Sequence, residues 1–359
     1  MKLKAIICVV LILSLLTGCA KTQSNNNNGT TNTNITTQTQ SYYDYFDTVC
    51  TVTSYKGDSA EEFTKQTETV KSMLDKYHKL FDIYNEYDGI NNIKTINDNA
   101  GVAPVKVNAE LLEFIKYSKE MYTLTNGALN IALGSVLTIW HNYRTEALEL
   151  PKNAKVPSKS SLESAAQHTN INDLIIDEKN STVYIKDSQM SLNVGAIGKG
   201  YATQKIADKL IADGVSSYVL NMGGNLRVIG TKVDGNGWVT GITNPNRKSA
   251  DRYAAKIILK DISLVTSGDY ERYYTVNGVN YHHIIDPDTL QPARYFSSVS
   301  ILTKDSGLAD ALSTALFCMS YEDGLKLVNS IGSVEVMWIT TDFTILKTQG
   351  FELYSNTGK

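Results

Sequence analysis

The chain has only four cysteines in 359 residues and no CxxC pair, which excludes a zinc ribbon. No D-x-D-x-D loop is present to cradle calcium, and no internal repeat recurs at a fixed period. Charges of both signs are interspersed to a net charge of -3 with no basic block, so nucleic acid is not an expected partner. The apolar run Ala5–Leu16 is too short and wrongly flanked for a stable membrane span. What is present is a hydrophobic content of 42%, enough for a sizeable core in one large domain or two ordinary ones.

Lys2 and Lys4 precede that apolar run, which closes on Leu16-Thr17-Gly18-Cys19. This resembles the lipobox of bacterial lipoproteins, which implies a signal peptide over residues 1–18 and a diacylated Cys19. Two acyl chains make a stable membrane anchor. Residues 19–41 are rich in Asn, Thr and Gln and almost devoid of apolar side chains, the composition of a disordered tether. The expected folded domain is then 42–359, lipid-anchored to the cell membrane on its extracytoplasmic face. Cys8 leaves with the signal and Cys19 carries lipid. Cys50 and Cys318 remain, each in an apolar pattern, as buried free thiols, with a disulfide between them as the alternative.

Along the domain, Thr48–Tyr55 alternates and is β-branched, so it is expected as the first strand. An amphipathic helix is expected over Phe63–Phe81, with Val70, Met73, Leu74, Tyr77 and Phe81 on one side. A second helix over Val107–Thr123 ends at the Asn126-Gly127 signal, and Gly127-Ala128-Leu129-Asn130 opens an apolar segment to Trp140. Ser158 or Ser161 caps the next helix, and short paired strands follow at Asp173–Asp177 and Thr182–Lys186. Two glycine turns come next. Gly195-Ala196-Ile197-Gly198-Lys199-Gly200 lets backbone N–H groups approach an anion, with Lys199 as a point charge, or simply packs closely. It lacks the G-K-S/T ending of a Walker A loop. Asn221-Met222-Gly223-Gly224 turns between two β-like runs.

Tyr281-His282-His283 stands at the head of a strand-like run closing in Asp286-Pro287. Neighbouring strand residues face opposite ways, so only one imidazole enters a given site, as a base or as a structural histidine bonded to backbone. The helix Gly307–Met319 is apolar on more than one face, yet carries Asp310 and Thr314 four residues apart. That spacing stacks a carboxylate and a hydroxyl one turn apart, a pair of oxygen ligands suited to Mg2+. The same residues also suit a dipole-complementing charge and a Thr bonded back to its own helix.

Taken in order, Phe46-Asp47-Thr48, the polar loop to Asn97, Gly127–Asn130, Gly195–Tyr201, Asn221–Gly224, Thr266–Arg272, His283–Pro287 and Ala309–Thr314 resemble the ApbE family of FAD:protein FMN transferases. The resemblance spans the chain beyond the tether. It implies an α+β, T-fold-like architecture of mixed sheets with packed helices, and an FAD site between two halves. It also implies Mg2+-dependent cleavage of the FAD pyrophosphate (Mn2+ as the alternative ion), transfer of FMN to a Thr or Ser hydroxyl, and release of AMP. Partners would be FAD and an acceptor flavoprotein of a membrane or surface electron-transfer system. By matching position, Asp310, Thr314 and the Ala196 carbonyl hold the metal and His283 is the base. Phe46, Tyr84, Ala128, Leu129, Asn130, Asn193, Lys199, Ser267 and Ile284 contact FAD. Asn130, Asn193 and Asn225 stand where many members have Asp, and Leu290 replaces the glycine of the usual turn after Asp-Pro, which puts that turn's geometry in question. The reading from another class is a lipoprotein that binds flavin or another small solute without turnover.

Overall fold

The structure, a computed structural model, describes residues 37–355. The expected signal segment 1–18, Cys19 and most of the tether lie outside them. The tether ends earlier than expected, because Gln38–Tyr45 is a strand, β1. The strand expected first is therefore the second, β2 (Thr48–Ser54), which pairs with β1 antiparallel. β1 was hidden by its polarity. It lies at the edge of its sheet and buries only Tyr42, so it carries no apolar alternation.

Helix α1 (Ala60–Phe81) starts where Ser59 and Glu62 cap one another reciprocally, and it buries Val70, Leu74, Tyr77 and Phe81 at helical spacing. There follow α2 (Ile93–Asp98), β3 (Val105–Lys106), α3 (Ala109–Leu124), α4 (Gly134–Glu149) and α5 (Lys159–Ala166). Asn108 caps α3, and Ser158, one of the two serines expected, caps α5. Strands β4 (Leu174–Asp177) and β5 (Thr182–Ile185) then lead to α6 (Gly198–Ala212). The second half runs β6 (Ser217–Met222), β7 (Asn225–Gly230), β8 (Trp238–Thr243), β9 (Tyr253–Leu259), β10 (Ser263–Gly268), β11 (Tyr273–Val276), β12 (Val279–His282) and β13 (Phe296–Thr303). It closes with α7 (Ser306–Phe317), α8 (Tyr321–Ile331), β14 (Glu335–Thr340) and β15 (Ile345–Lys347).

The architecture is α+β, as expected. One eight-stranded sheet has the order β1-β2-β6-β7-β10-β13-β14-β15, and β3-β5-β4, β8-β9 and β11-β12 form three smaller sheets. Every ladder is antiparallel. Strand β13 is buried along its whole length because both of its faces are covered. Val299 and Ile301 pack with Leu312, Leu316 and Trp338 on the α7 side, while Leu302 packs with Met337, Ile339 and Phe351 on the other. Helix α7 is in turn covered by α6, and only Leu308 and Thr314 along it escape full burial. A carboxylate in such a helix is costly unless something uses it. Cys50 and Cys318 are buried free thiols.

Candidate active site

A cleft of about 990 Å3 opens beside α7, and it collects every residue expected to hold the metal, act as base or contact FAD, while Cys19 lies outside the described residues. Two tight hairpin turns form part of its wall. In the β1–β2 turn Phe46 and Asp47 take φ of 54° and 51°, and in the β6–β7 turn Gly223 and Gly224 take 61° and 94°. Two successive left-handed residues make the turn that matches strand twist. Phe46 is held in this costly conformation by its N–H, which donates to His78 Nδ1 at 3.3 Å, and by its ring lying edge-on to His78. Gly223 has no alternative, since a Cβ there would fall 2.4 Å from Thr48 Oγ1.

Asp310 is placed by a helix crossing. At Gly200 a Cβ would lie 2.3 Å from both Asp310 Cβ and the Ser306 carbonyl, so only glycine lets α6 approach α7 this closely. The Gly200 N–H then donates to Asp310 Oδ2 at 2.7 Å. Of the two readings of the 195–200 turn, its third glycine meets that of close packing, and its N–H is spent on a carboxylate of its own chain. Burial raises the Asp310 carboxyl above its usual range, opposed by the charge of Lys199, the Gly200 N–H and the nearby Asn225 amide. Asn225 nonetheless leaves its Nδ2 buried and without a hydrogen-bond partner among the described residues. One turn on, half-buried Thr314 lines the cleft, and its hydroxyl takes no hydrogen bond within the described residues. The bond back to its own helix falls to Ser313, whose Oγ donates to the Asp310 carbonyl at 2.9 Å and meets Ser267 Oγ at 2.8 Å. Ser267 therefore braces α7 from the cleft wall.

The donor set tests the metal expectation. Asp310 and Thr314 offer hard oxygens from one helix face, and the turn carrying Ala196 lines the same cleft. Among the described residues no group of three or more His, Cys, Asp or Glu could hold a metal, so a zinc-type cage is not the pattern. A buried carboxylate with one oxygen uncommitted, beside an unpartnered hydroxyl, fits a small hard cation that fills its remaining positions from water or substrate.

The two histidines do part, although only His282 lies in a strand, as the last residue of β12, and the run expected to follow them is not one. His282 is buried. Its Nε2 is 2.8 Å from the Ala293 carbonyl, its Nδ1 accepts from the Ile284 N–H at 3.2 Å, and its ring is edge-on to Phe317. Burial lowers its pKa to about 4. His283 is exposed and lines the cleft, and its backbone N–H donates to the Arg272 carbonyl at 3.0 Å. Desolvation by its surroundings, then the charges of Arg272, His282, Arg144 and Lys199, holds its pKa below the usual imidazole range. A neutral imidazole facing a cleft can accept a proton. Beyond it, Leu290 takes φ 59°, the conformation that a glycine would adopt freely, and the turn survives. The Leu290 N–H reaches the Asp286 carbonyl at 2.8 Å and its own carbonyl accepts from Trp140 Nε1 at 3.0 Å.

Several cofactor candidates line the cleft with their polar atoms already engaged. Asn130 accepts from the Ala132 N–H at 2.9 Å and donates Nδ2 to the Thr169 carbonyl at 2.9 Å, a bond that Asp could not make. Asn193 Oδ1 accepts from the Gly195 N–H at 3.0 Å. Leu129 and Ile284 are buried in the apolar core. Tyr84 is 58% exposed, its ring tilted 5.8 Å from His141. His141 and Arg144, one turn apart on α4, and Thr240–Thr243 of β8 line the cleft without having been foreseen. His141 and Arg144 sit among other polar residues of α4, so nothing in the sequence set them apart.

The fold is α+β, and its cleft sets an oxygen-bearing helix turn among cationic side chains. The model described as the ApbE family matches residues 46–338. The FAD:protein FMN transferase of Treponema pallidum is 30% identical over 317 residues, 84% of each chain, and that of Vibrio cholerae is 28% identical over 300 residues, 83% of this chain and 84% of that one. Among solved structures, the ApbE protein of Thermotoga maritima aligns with a TM-score of 0.77 at 29% identity, over 89% of this chain and 100% of that one. The flavin transferase ApbE of Vibrio cholerae aligns at 0.73 and 23% identity over 89% and 100%, a likeness of fold alone. The chain belongs to the ApbE family.

Proposed function

We propose that this protein is an FAD:protein FMN transferase that moves FMN from FAD onto a Thr or Ser hydroxyl of an acceptor flavoprotein. The observation that carries this is the Asp310–Thr314 oxygen pair, left without full protein partners in the same cleft as a neutral His283. The hydroxyl oxygen attacks the FMN phosphorus as its proton passes to His283. An O–P bond to the acceptor forms, the bridging P–O bond breaks, and AMP leaves with the bridging oxygen. Such transfer asks a protein for alignment and charge stabilisation more than for covalent chemistry. Mg2+, with Mn2+ as the alternative, would be held by Asp310, Thr314 and the Ala196 carbonyl. When bound it neutralises diphosphate charge and the charge developing on AMP. Lys199 supplies a second positive charge, exposed Tyr84 offers a ring face, and Phe46 lines the same cleft.

The Leu16-Thr17-Gly18-Cys19 motif supports a lipid anchor at Cys19, with the domain working at the extracytoplasmic face of the cell membrane on flavoproteins of membrane or surface electron transfer. The test is to incubate the protein with FAD, Mg2+ and a Thr-bearing candidate flavoprotein. The expected result is a covalently flavin-fluorescent acceptor band and one AMP per transfer. FAD bound without AMP across a panel of such acceptors would make it a passive flavin-binding lipoprotein.

A further inference from the structure

Strand β8 has a free edge, and that edge opens into the cleft. Among the described residues β8 pairs with β9 alone, so one row of its backbone N–H and C=O groups meets no neighbouring strand. The two faces of the β8–β9 hairpin are already in use. Trp238 and Ile242 pack with Leu226 and Leu264 of the main sheet, while Val239 is exposed on the opposite face. Four consecutive residues of β8, Thr240, Gly241, Ile242 and Thr243, nonetheless line the cleft, and none of the described residues of β9 does. A face would supply every second residue. Consecutive residues from one strand alone mean that the edge is what meets the cleft.

Natural sheets guard such edges with lysine, proline or a covering loop. The strand itself, Trp-Val-Thr-Gly-Ile-Thr, has neither charge nor proline. Donors and carbonyl acceptors alternate along an open edge, and an extended polypeptide matches both. A diphosphate brings acceptor oxygens alone and would be set against the carbonyls.

Contacts tie the C-terminal end of β8 to the segment that holds the base. Arg247, in the loop just beyond β8, lies over the Tyr270 ring, 5.6 Å from its centroid. Further along that segment the Arg272 carbonyl accepts from the His283 N–H at 3.0 Å. Tyr270, Arg272 and His283 all line the cleft, so a chain lying along β8 is led toward His283.

We propose that the acceptor docks as an added strand, its Thr-bearing segment pairing backbone to backbone with the free edge of β8 and presenting its hydroxyl to His283. Main-chain bonds would supply the affinity, and side chains at alternate positions the choice of partner. This docking mode rests on the transfer function above, so binding is read without turnover.

The probes are short fluorescein-labelled peptides, each centred on one Thr of the candidate flavoproteins used in the transfer assay. Anisotropy is read on the FAD-loaded protein in EDTA. The tightest-binding peptide is then remade with one backbone nitrogen methylated at a time. An added strand uses every second amide, so methylation should weaken binding about tenfold at alternate positions and leave those between unchanged. T243P, at the exposed last residue of β8, and V239K, which puts a lysine guard on the strand, should each weaken the parent peptide with FAD affinity unchanged. Failure of every peptide to bind overturns the docking mode. So does a methylation pattern without alternation, or peptide binding at full strength in both variants. Weakened FAD with peptide binding intact assigns the edge to the dinucleotide and overturns it too. A peptide that binds with the alternating pattern but is not flavinylated once Mg2+ replaces EDTA leaves the docking edge standing and removes the transfer function. V239K alters only an exposed side chain, so it keeps the test readable should T243P fold poorly.

Discussion

The two ends of the cleft are built on opposite principles. At the Asp310 end, a glycine-only crossing of α6 and α7, a backbone N–H and a fully covered strand fix one carboxylate. At the open end, Tyr84 and Arg272 stand in solvent on loops and short elements, tied mainly by backbone bonds such as that between His283 and Arg272. Close-packed regions hold a reacting geometry to fractions of an ångström, and exposed ones accommodate partners.

The largest effect should come from the rigid end. Asp310→Ala and Thr314→Ala are expected to abolish Mg2+-dependent transfer, measured as AMP release, and normal transfer by both without added metal would reject that site. Replacing His283 with Ala should slow transfer by about 10² to 10⁴ while FAD binding, followed by flavin fluorescence, is kept. Lost FAD affinity with unchanged turnover would make it a binding residue instead. Gly200→Ala forces a Cβ into a backbone carbonyl and should cost about 3 kcal/mol in urea unfolding, taking transfer with it.

His282 contributes through pH. Its pKa is about 4 when folded, below its unfolded value near ~6.5, so between these the unfolded chain binds more protons. Its neutral burial is free of penalty above pH ~6.5, and on the order of 3 kcal/mol of stability is lost as pH falls through that window. His282→Gln should flatten the fall in thermal unfolding experiments, and an unchanged slope would sink this account. The smallest effect belongs to the open end. Tyr84→Ala should leave stability within about 0.5 kcal/mol and weaken FAD by up to about tenfold. A comparable stability loss at both ends would erase the contrast.

How much of this was visible beforehand depends on how local each feature is. Asp310 and Thr314 stood out because carboxylate and hydroxyl at i, i+4 interrupt an apolar helix, and the two histidines were expected to part, as they do, although only His282 lies in a strand. The role of Gly200 was not legible, because its partner lies 110 residues away and close approach leaves no mark on either segment. β1 was missed because a polar edge strand has no buried face to alternate, and Arg144 because helix spacing does not say what faces a side chain. Asn130 and Asn193 were picked out by position, and the structure adds that each also stitches its own loop.

The Gly200 N–H also bears on which ion such a site would favour. With Oδ2 already bonded, Asp310 has a single oxygen free to offer without competition, so it presents itself as a monodentate donor. Calcium draws much of its affinity from carboxylates gripped by both oxygens, whereas smaller octahedral ions are content with one. A backbone amide 110 positions upstream would thereby act as a size filter.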